Sequence, residues 1–512
     1  MTAPHLNIEA AAASPQGRAI VIGAGVGGLA AAMRLGAMGW RVTVYDKLDM
    51  PGGRGSAIHQ GGYRFDLGPT IVTAPDEFRR LWSACGRSFD DDVNLVPMDP
   101  FYQIRFPDGS HFTASGDTEG MRAEVERLSP GDLKGYDRFL RDSQERYEFG
   151  FEDLGRRPMN KFMDLAKVLP RFGVLRADRS VYAHVAKRVK DERLRMALSF
   201  HPLFIGGDPF HVTSMYILVS YLEKTYGVHY AMGGVAAIAK AMANVVRDQG
   251  GEVVLNRTVD EIVVENGRAA GVKLSDGVID RAALTVSNAD PGHAYDHLLR
   301  NQPRKRWTEK KLASRRWSMG LFVWYFGTKG TASEWRDVGH HTIVSGPRYE
   351  GLVQDIFIKG KLAEDMSLYV HRPSVTDPTA APPGDDAFYV LSPVPHLGHD
   401  NGVDWEVERD RYREKVLATL EDRLLPGLRE RLTEEVIFTP LDFESRYLSP
   451  YGAGFSIEPR ILQSAWFRPH NVSEELPGLF LVGAGTHPGA GLPGVVASAD
   501  AMAQLAPAPV MS

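Results

Sequence analysis

Among its 512 residues the chain has one cysteine, Cys85. A single thiol excludes an intramolecular disulfide and any cysteine metal cluster, and it suits a reducing compartment. Long apolar runs are missing too. None approaches the roughly 18 residues of a membrane-spanning helix, and MYILV at 215–219 has the length of a buried element. There is no excess of basic charge. The net charge is −5, which gives no global attraction for nucleic acid, so no nucleic-acid partner is expected. HExxH, CxxC and serine- or cysteine-hydrolase signatures are absent, and no metal is expected. Residues 1–17 contain no Lys or Arg and read as a loose arm, not as a secretory signal. Internal repeats and low-complexity linkers are also lacking. The length predicts two or three lobes.

Glycine, in contrast, is concentrated near both ends. In VIGAGVGGLA (21–30), Gly23, Gly25 and Gly28 form G-x-G-x-x-G between an apolar strand, RAIVIG (18–23), and a helical run, LAAAMRLGAMGW (29–40). RVTVYD (41–46) then reads as a second strand ending in an acid. Each residue has a physical reason. Gly23 allows the sharp turn, Gly25 lets a pyrophosphate approach the backbone, and Gly28 lets helix and strand pack closely. The helix N-terminus offers free N–H groups to the anion. Asp46 stands where a carboxylate accepts from a ribose hydroxyl. The spacing therefore predicts a dinucleotide site.

The pattern continues into DMPGGRGS (49–56) and YRFDLGPTIV (63–72), where Gly53, Arg54, Gly68 and Thr70 extend the phosphate loops. Residues 232–277 read as turn, helix and three strands, and LTVSNADP (284–291) reads as a returning buried strand and loop. VGAGTHPGAGLPG (482–494) closes the pattern with a strand, a glycine turn and a helix beginning near Gly494. These features resemble the FAD-binding amine oxidase superfamily. The resemblance implies an α/β, Rossmann-like FAD-binding domain of the GR2 flavoprotein type. This domain is interwoven with an α+β substrate domain and a helical membrane-contacting part. The implied FAD segments are 18–75, 231–295 and 471–505. The substrate lobe takes 76–230 and 296–470, and 506–512 is a tail. The backbone near Val259 is implied to meet the adenine, and Gly485 and Gly494 the ribityl and ring end. Ala484 stands where many members carry Asp. His487 invites a covalent flavin link, but a hydrogen-bonding role is the stronger expectation, and the FAD is expected to be non-covalent. The Pro-rich stretch SVTDPTAAPPGDD (374–386) reads as a surface loop.

GAGTHPGAGLPGV, SFHPLFIGGDPF (199–210), GVHYAMGGVAAI (227–238), MGLFVWYFG (319–327) and ILQSAWFRPHN (461–471) narrow the resemblance to the bacterial-type phytoene desaturases, nearest those of purple phototrophic bacteria. The implied reaction is repeated dehydrogenation of phytoene, through phytofluene and ζ-carotene, to neurosporene or lycopene. FAD is the implied redox cofactor, and oxygen or a quinone the electron acceptor. A peripheral position on the cytoplasmic side of the bacterial inner membrane goes with that substrate. Alternatives on the same scaffold are a later-step desaturase, a carotenoid isomerase, an amine oxidase and a non-catalytic lipid escort. A complete set of FAD glycines argues against the last.

A C40 hydrocarbon calls for a long apolar pocket. Phe200, Phe204, Phe210, Met215, Tyr216 and the aromatic strand at 317–327 are candidates for it, although core packing is the commoner role of such residues. Dehydrogenation needs a hydride acceptor and a proton acceptor. Once hydride leaves, the neighbouring C–H is acidic, and a weak base or water suffices. Asp164 in KFMDLAKVL and Asp355 in LVQDIFI are candidate proton acceptors, their pKa values expected to rise on burial, with His201 or Arg348 orienting them. Residues 156–179 carry seven basic and two acidic residues around Phe162, Met163, Leu165, Leu169 and Phe172. They read as an interfacial helix broken at Pro170 or as an ordinary core-facing amphipathic helix.

Overall fold

The computed structural model describes residues 17–400 and 402–510. Apart from Gly17, the N-terminal arm lies outside the described residues, as do the last two residues of the tail.

The apolar strand Arg18–Ile22 is the centre of a five-stranded parallel sheet. Leu284–Ser287 and Leu479–Leu481 lie on one side of it, and Arg41–Tyr45 and Glu252–Val254 on the other. The strands thus come from widely separated stretches of chain. Both faces of this sheet are covered, which is why its strands lack a polar face. Ala19 and Val21 pack toward the helices Val26–Ala37, Val235–Asp248 and Leu492–Ala503. Ile20 and Ile22 pack toward Ile262 and Val272 of a three-stranded antiparallel sheet.

A second lobe is built on a seven-stranded sheet. Its order is Leu432–Phe438, Gly320–Thr328, Asp386–Val394, Leu368–His371, His341–Val344, Tyr102–Arg105 and His111–Ala114. Only the join between His341–Val344 and Tyr102–Arg105 is parallel. The aromatic strand Gly320–Thr328 is buried throughout. Phe322, Trp324 and Phe326 pack under the helix Trp405–Arg423, while Leu321, Val323 and Tyr325 face a core that includes Phe65 and Tyr389.

Two local expectations are corrected. Pro170 does not break its helix, which runs from Phe162 to Val174 with the proline inside. The missing N–H falls in the last turns, at an exposed position where water can satisfy the freed carbonyl. The stretch 374–386 is not simply a surface loop. Asp377 and Asp386 are fully buried within it. Asp377 accepts from Arg64 at 2.8 Å. Asp386 accepts from Arg372 through Nε at 3.0 Å and Nη2 at 2.7 Å.

Arg372 also donates to the carbonyls of Trp335, Val338 and Thr331, so one guanidinium ties the 331–338 loop to two strands. Removing one partner of such a buried pair leaves the other charge uncompensated. Arg372→Met is expected to cost about 3–5 kcal/mol of stability. The check is a lower denaturant midpoint with an unchanged slope.

Candidate functional site

A cavity of about 680 Å³ lies between the two lobes. One end is lined by the glycine turns, and the other by Leu165, Leu169, Phe172, Phe204, Met215 and Leu462 among others.

At the glycine end the sequence dictates a bare backbone. Gly23 has φ +95°. A Cβ on Gly28 would lie 2.0 Å from the Gly23 carbonyl oxygen, so only glycine lets the helix Val26–Ala37 sit this close to the strand. A Cβ on Gly25 would meet Asn288 Nδ2 at 2.8 Å, and one on Gly68 would meet the Arg54 carbonyl oxygen at 2.0 Å. Gly25 and Gly52 pair as a short parallel bridge, which joins the two glycine turns into one cradle at the helix N-terminus. Asp46 stands at the end of its strand. Its carboxylate accepts from Ala24 N at 2.6 Å and Leu48 N at 2.8 Å. Burial raises its pKa, and these two N–H groups oppose the rise.

Arg54 is half-buried in the cavity wall. Nη2 donates to Ser449 Oγ at 2.9 Å, Nε has no partner, and no carboxylate lies within 4.0 Å among the described residues. Burial lowers its pKa. A half-buried guanidinium without a carboxylate partner, beside a glycine cradle at a helix N-terminus, fits a bound anion, and a pyrophosphate meets that need. Asp290 is half-buried and lines the same cavity, with Oδ1 accepting from Gly292 N and Oδ2 unpartnered. Burial raises its pKa. The residues present therefore fit a dinucleotide.

Gly23, Gly25, Asp46, Gly53, Arg54, Gly68, Thr70, Val259 and Gly494 all line this cavity. Gly28 and Gly485 do not; they act in packing, and a Cβ on Gly485 would lie 2.2 Å from Pro291 Cδ. His487 is fully buried, and its Nε2–H donates to the carbonyls of Leu154 and Arg157. Burial lowers its pKa to about 4.

Phe204, Met215 and Tyr216 line the apolar end, whereas Phe200 and Phe210 are packed behind it. Of the strand Gly320–Thr328 only Leu321 reaches the cavity, and the aromatics are core.

The two aspartates singled out from the sequence do not line the cavity. Asp164 is half-buried, and its carboxylate caps its own helix by accepting from Lys161 N at 2.9 Å. Asp355 is buried, but the expected rise in pKa does not occur. Burial pushes it up, and Lys359 at 2.9 Å with Arg348 at 3.1 Å more than offset this, leaving it below the usual carboxylate range. Arg348 is spent on Asp355 and Asp365.

His201 does line the cavity, together with a residue the sequence did not flag, Glu223. His201 Nε2 lies 3.2 Å from Glu223 Oε2, and both are within 3.1 Å of the Tyr102 hydroxyl. Burial beside Glu223 raises the Tyr102 pKa well above its ordinary value, so Tyr102 stays a donor. Asn288 was also missed, although it lies in the quoted stretch LTVSNADP; no spacing rule marks it.

Comparison with known proteins agrees with this geometry. The model of flavin-containing amine oxidoreductases matches residues 26–506. A neurosporene-forming phytoene desaturase of Cereibacter sphaeroides is 70% identical over 97% of this chain and 95% of its own length. A lycopene-forming phytoene desaturase of a Paracoccus species is 45% identical over 95% of this chain and 96% of its own. Among solved structures, an oxidoreductase from Methanosarcina mazei superposes with a TM-score of 0.65 at 20% identity, covering 94% of this chain and 98% of that one. The glycine cradle, the Rossmann-like sheet and these matches together show that the chain belongs to the flavin-containing amine oxidoreductase family.

Proposed function

We propose that this protein is an FAD-dependent phytoene desaturase whose main product is neurosporene. The observation that carries this reading is that one continuous cavity holds both kinds of lining. It joins a dinucleotide cradle to an apolar chamber that lies directly beneath an exposed apolar helix. The relative at 70% identity is neurosporene-forming and the one at 45% lycopene-forming, which favours the shorter reaction series. The FAD is held non-covalently by Gly23, Gly25, Asp46, Gly53, Arg54, Gly68, Thr70, Val259 and Gly494. When bound, it supplies the hydride acceptor, and oxygen or a quinone reoxidises it. Leu165, Leu169, Phe172, Phe204 and Met215 hold the hydrocarbon and exclude water. The proton released from the substrate goes to the Glu223–His201 pair, a buried carboxylate–imidazole pair on the cavity wall beside the apolar end. Asp355, ionised and triply flanked by cations, and Asp164, committed to its helix, leave that role open.

Phytoene dissolves in bilayers, and moving it from lipid to an apolar tunnel gains no hydrophobic energy, so direct docking avoids a costly exposure to water. The helix Phe162–Val174 supplies the surface. Phe162, Met163 and Val174 are 65%, 59% and 71% exposed, and Leu462 beside them is 64% exposed. Leu165, Leu169 and Phe172 of the same helix line the cavity. Lys161, Lys167 and Arg171 are exposed and form no ion pair among the described residues, so they are free for anionic headgroups. Arg156 is not, because it is tied to Glu77 and Glu152. No helix among the described residues is long and apolar enough to cross a membrane. The contact is peripheral, on the cytoplasmic face of the inner membrane.

The reading is tested by incubating purified protein with FAD and liposomal phytoene and separating the products over time. Neurosporene should accumulate; absence of any dehydrogenated carotene refutes the assignment. Gly25→Val should yield a colourless protein, because the new side chain meets Asn288 and occupies the pyrophosphate path; absorbance of the purified variant checks this. Glu223→Gln is expected to lower turnover by roughly two to four orders of magnitude with flavin content retained, whereas Asp355→Asn should leave the proton-transfer step intact. An unchanged rate for Glu223→Gln means that the proton leaves to water. Reversing Lys161, Lys167 and Arg171 to Glu removes about 1 kcal/mol per cation near an anionic surface. Binding to anionic vesicles should weaken by at least about 100-fold, as read by co-sedimentation, with binding to zwitterionic vesicles little changed.

A further inference from the structure

Behind the cavity wall, on the Thr70 side, lies a cluster of buried polar groups that the proposed reaction does not use. His341 and His371 are directly opposed in the antiparallel pair His341–Val344 and Leu368–His371, so their side chains share a face. His340 joins them. All three are buried, and one ring nitrogen from each lies within 4.8 Å of the others. The ring centroids are 4.4–5.2 Å apart. His340 Nε2, His341 Nε2 and both nitrogens of His371 have no hydrogen-bond partner. Asp66, 3% exposed on the neighbouring strand Tyr63–Asp66, has neither carboxylate oxygen hydrogen-bonded, and its Oδ2 lies 3.9 Å from His371 Nε2.

Orphaned donors and acceptors are costly in a protein interior, and Asp66 has only a long contact of 4.0 Å to Arg64 Nε besides His371. Three imidazoles converging on one point, with the Asp66 carboxylate beside one of them, form a ligand set without its ligand. The remaining ring nitrogens are already fixed. His341 Nδ1 is 2.7 Å from the Tyr369 hydroxyl, and His340 Nδ1 is 2.6 Å from Thr376 Oγ1. This outer support orients imidazoles in metal sites. Three nitrogens and one carboxylate oxygen suit Zn²⁺.

We propose that His340, His341, His371 and Asp66 bind one divalent cation of the zinc class as a structural site. Small ring rotations bring the donors to the ~3.3 Å spacing that a tetrahedral ion with bonds of about 2.0–2.1 Å requires. The site pins the hairpin bearing Asp66 to the seven-stranded sheet. Tyr369 also meets Thr70 Oγ1 at 2.5 Å, so the cation steadies the cavity wall through Tyr369 and Thr70. The ligands come from a His–His pair and two distant strands, a spacing that no sequence signature describes.

The test uses purified holoprotein dialysed against a weak chelator, then exposed to excess Zn²⁺ and dialysed again, with metal measured by mass spectrometry. About one zinc per chain is expected, with a rise in the unfolding temperature on loading. His371→Gln, with flavin content matching the parent, should lose the metal and the thermal shift. Less than a tenth of an equivalent in the parent, or equal zinc in the variant, overturns the proposal. Should the variant not accumulate, x-ray absorption on the zinc-loaded parent decides. Scattering from three imidazoles supports the site, and its absence overturns it.

Discussion

The side chain of Asn288 fills a space that glycines from both extremes of the chain leave open. A Cβ on Gly25, Gly27 or Gly483 would lie 2.6–2.8 Å from its amide atoms, and one on Gly28 would lie 3.1 Å from its Cβ. The first glycine turn, the returning strand Leu284–Ser287 and the last glycine turn are therefore locked around one amide. A larger residue at Gly25, Gly27 or Gly483 would displace the Asn288 side chain, and one at Gly28 would also displace the Gly23 backbone. The close approach of helix Val26–Ala37 to the central strand, and the cradle's opening toward the cavity, both follow from this constraint.

From that hub the two lobes divide the work. The parallel sheet, covered on both faces, is rigid and presents backbone N–H groups, one carboxylate and one unpaired guanidinium. The seven-stranded sheet and the helices over it contribute apolar wall and a few isolated polar groups. At the apolar end of the cavity the Glu223–His201 pair is a polar pair set among Leu, Met and Phe side chains. Asp355, by contrast, is inert: three nearby cations hold it ionised, and it faces away from the chamber.

The sequence made the cradle legible because glycine spacing encodes backbone geometry within a single stretch. Gly23, Gly25, Asp46 and Arg54 could each be placed from neighbours a few residues away. The acids could not. Whether Asp355 rises or falls in pKa depends on Arg348, Lys359 and Lys361, and its failure to face the chamber depends on tertiary packing. Glu223 is one charged residue in an ordinary helix, Leu218–Tyr226, until folding sets it beside His201 and Tyr102. The aromatic strand at 320–328 reads equally well as pocket or core, and only the helix packed on its far face decides for core. Pro170 reads as a break, yet an exposed position near a helix end tolerates it.

The weaving of the parallel sheet has a consequence for biosynthesis. The strand Arg18–Ile22 emerges from the ribosome early, but its neighbour Leu284–Ser287 follows midway and Leu479–Leu481 near the end. At translation speeds of about 5–20 residues per second, the central strand waits roughly half a minute to a minute and a half for the last glycine turn. Until Leu284–Ser287 is made, one edge of the central strand is open, and from then until Leu479–Leu481 is made the open edge is that of Leu284–Ser287. The nucleotide seat thus closes only once Leu479–Leu481 and the glycine turn after it have been made.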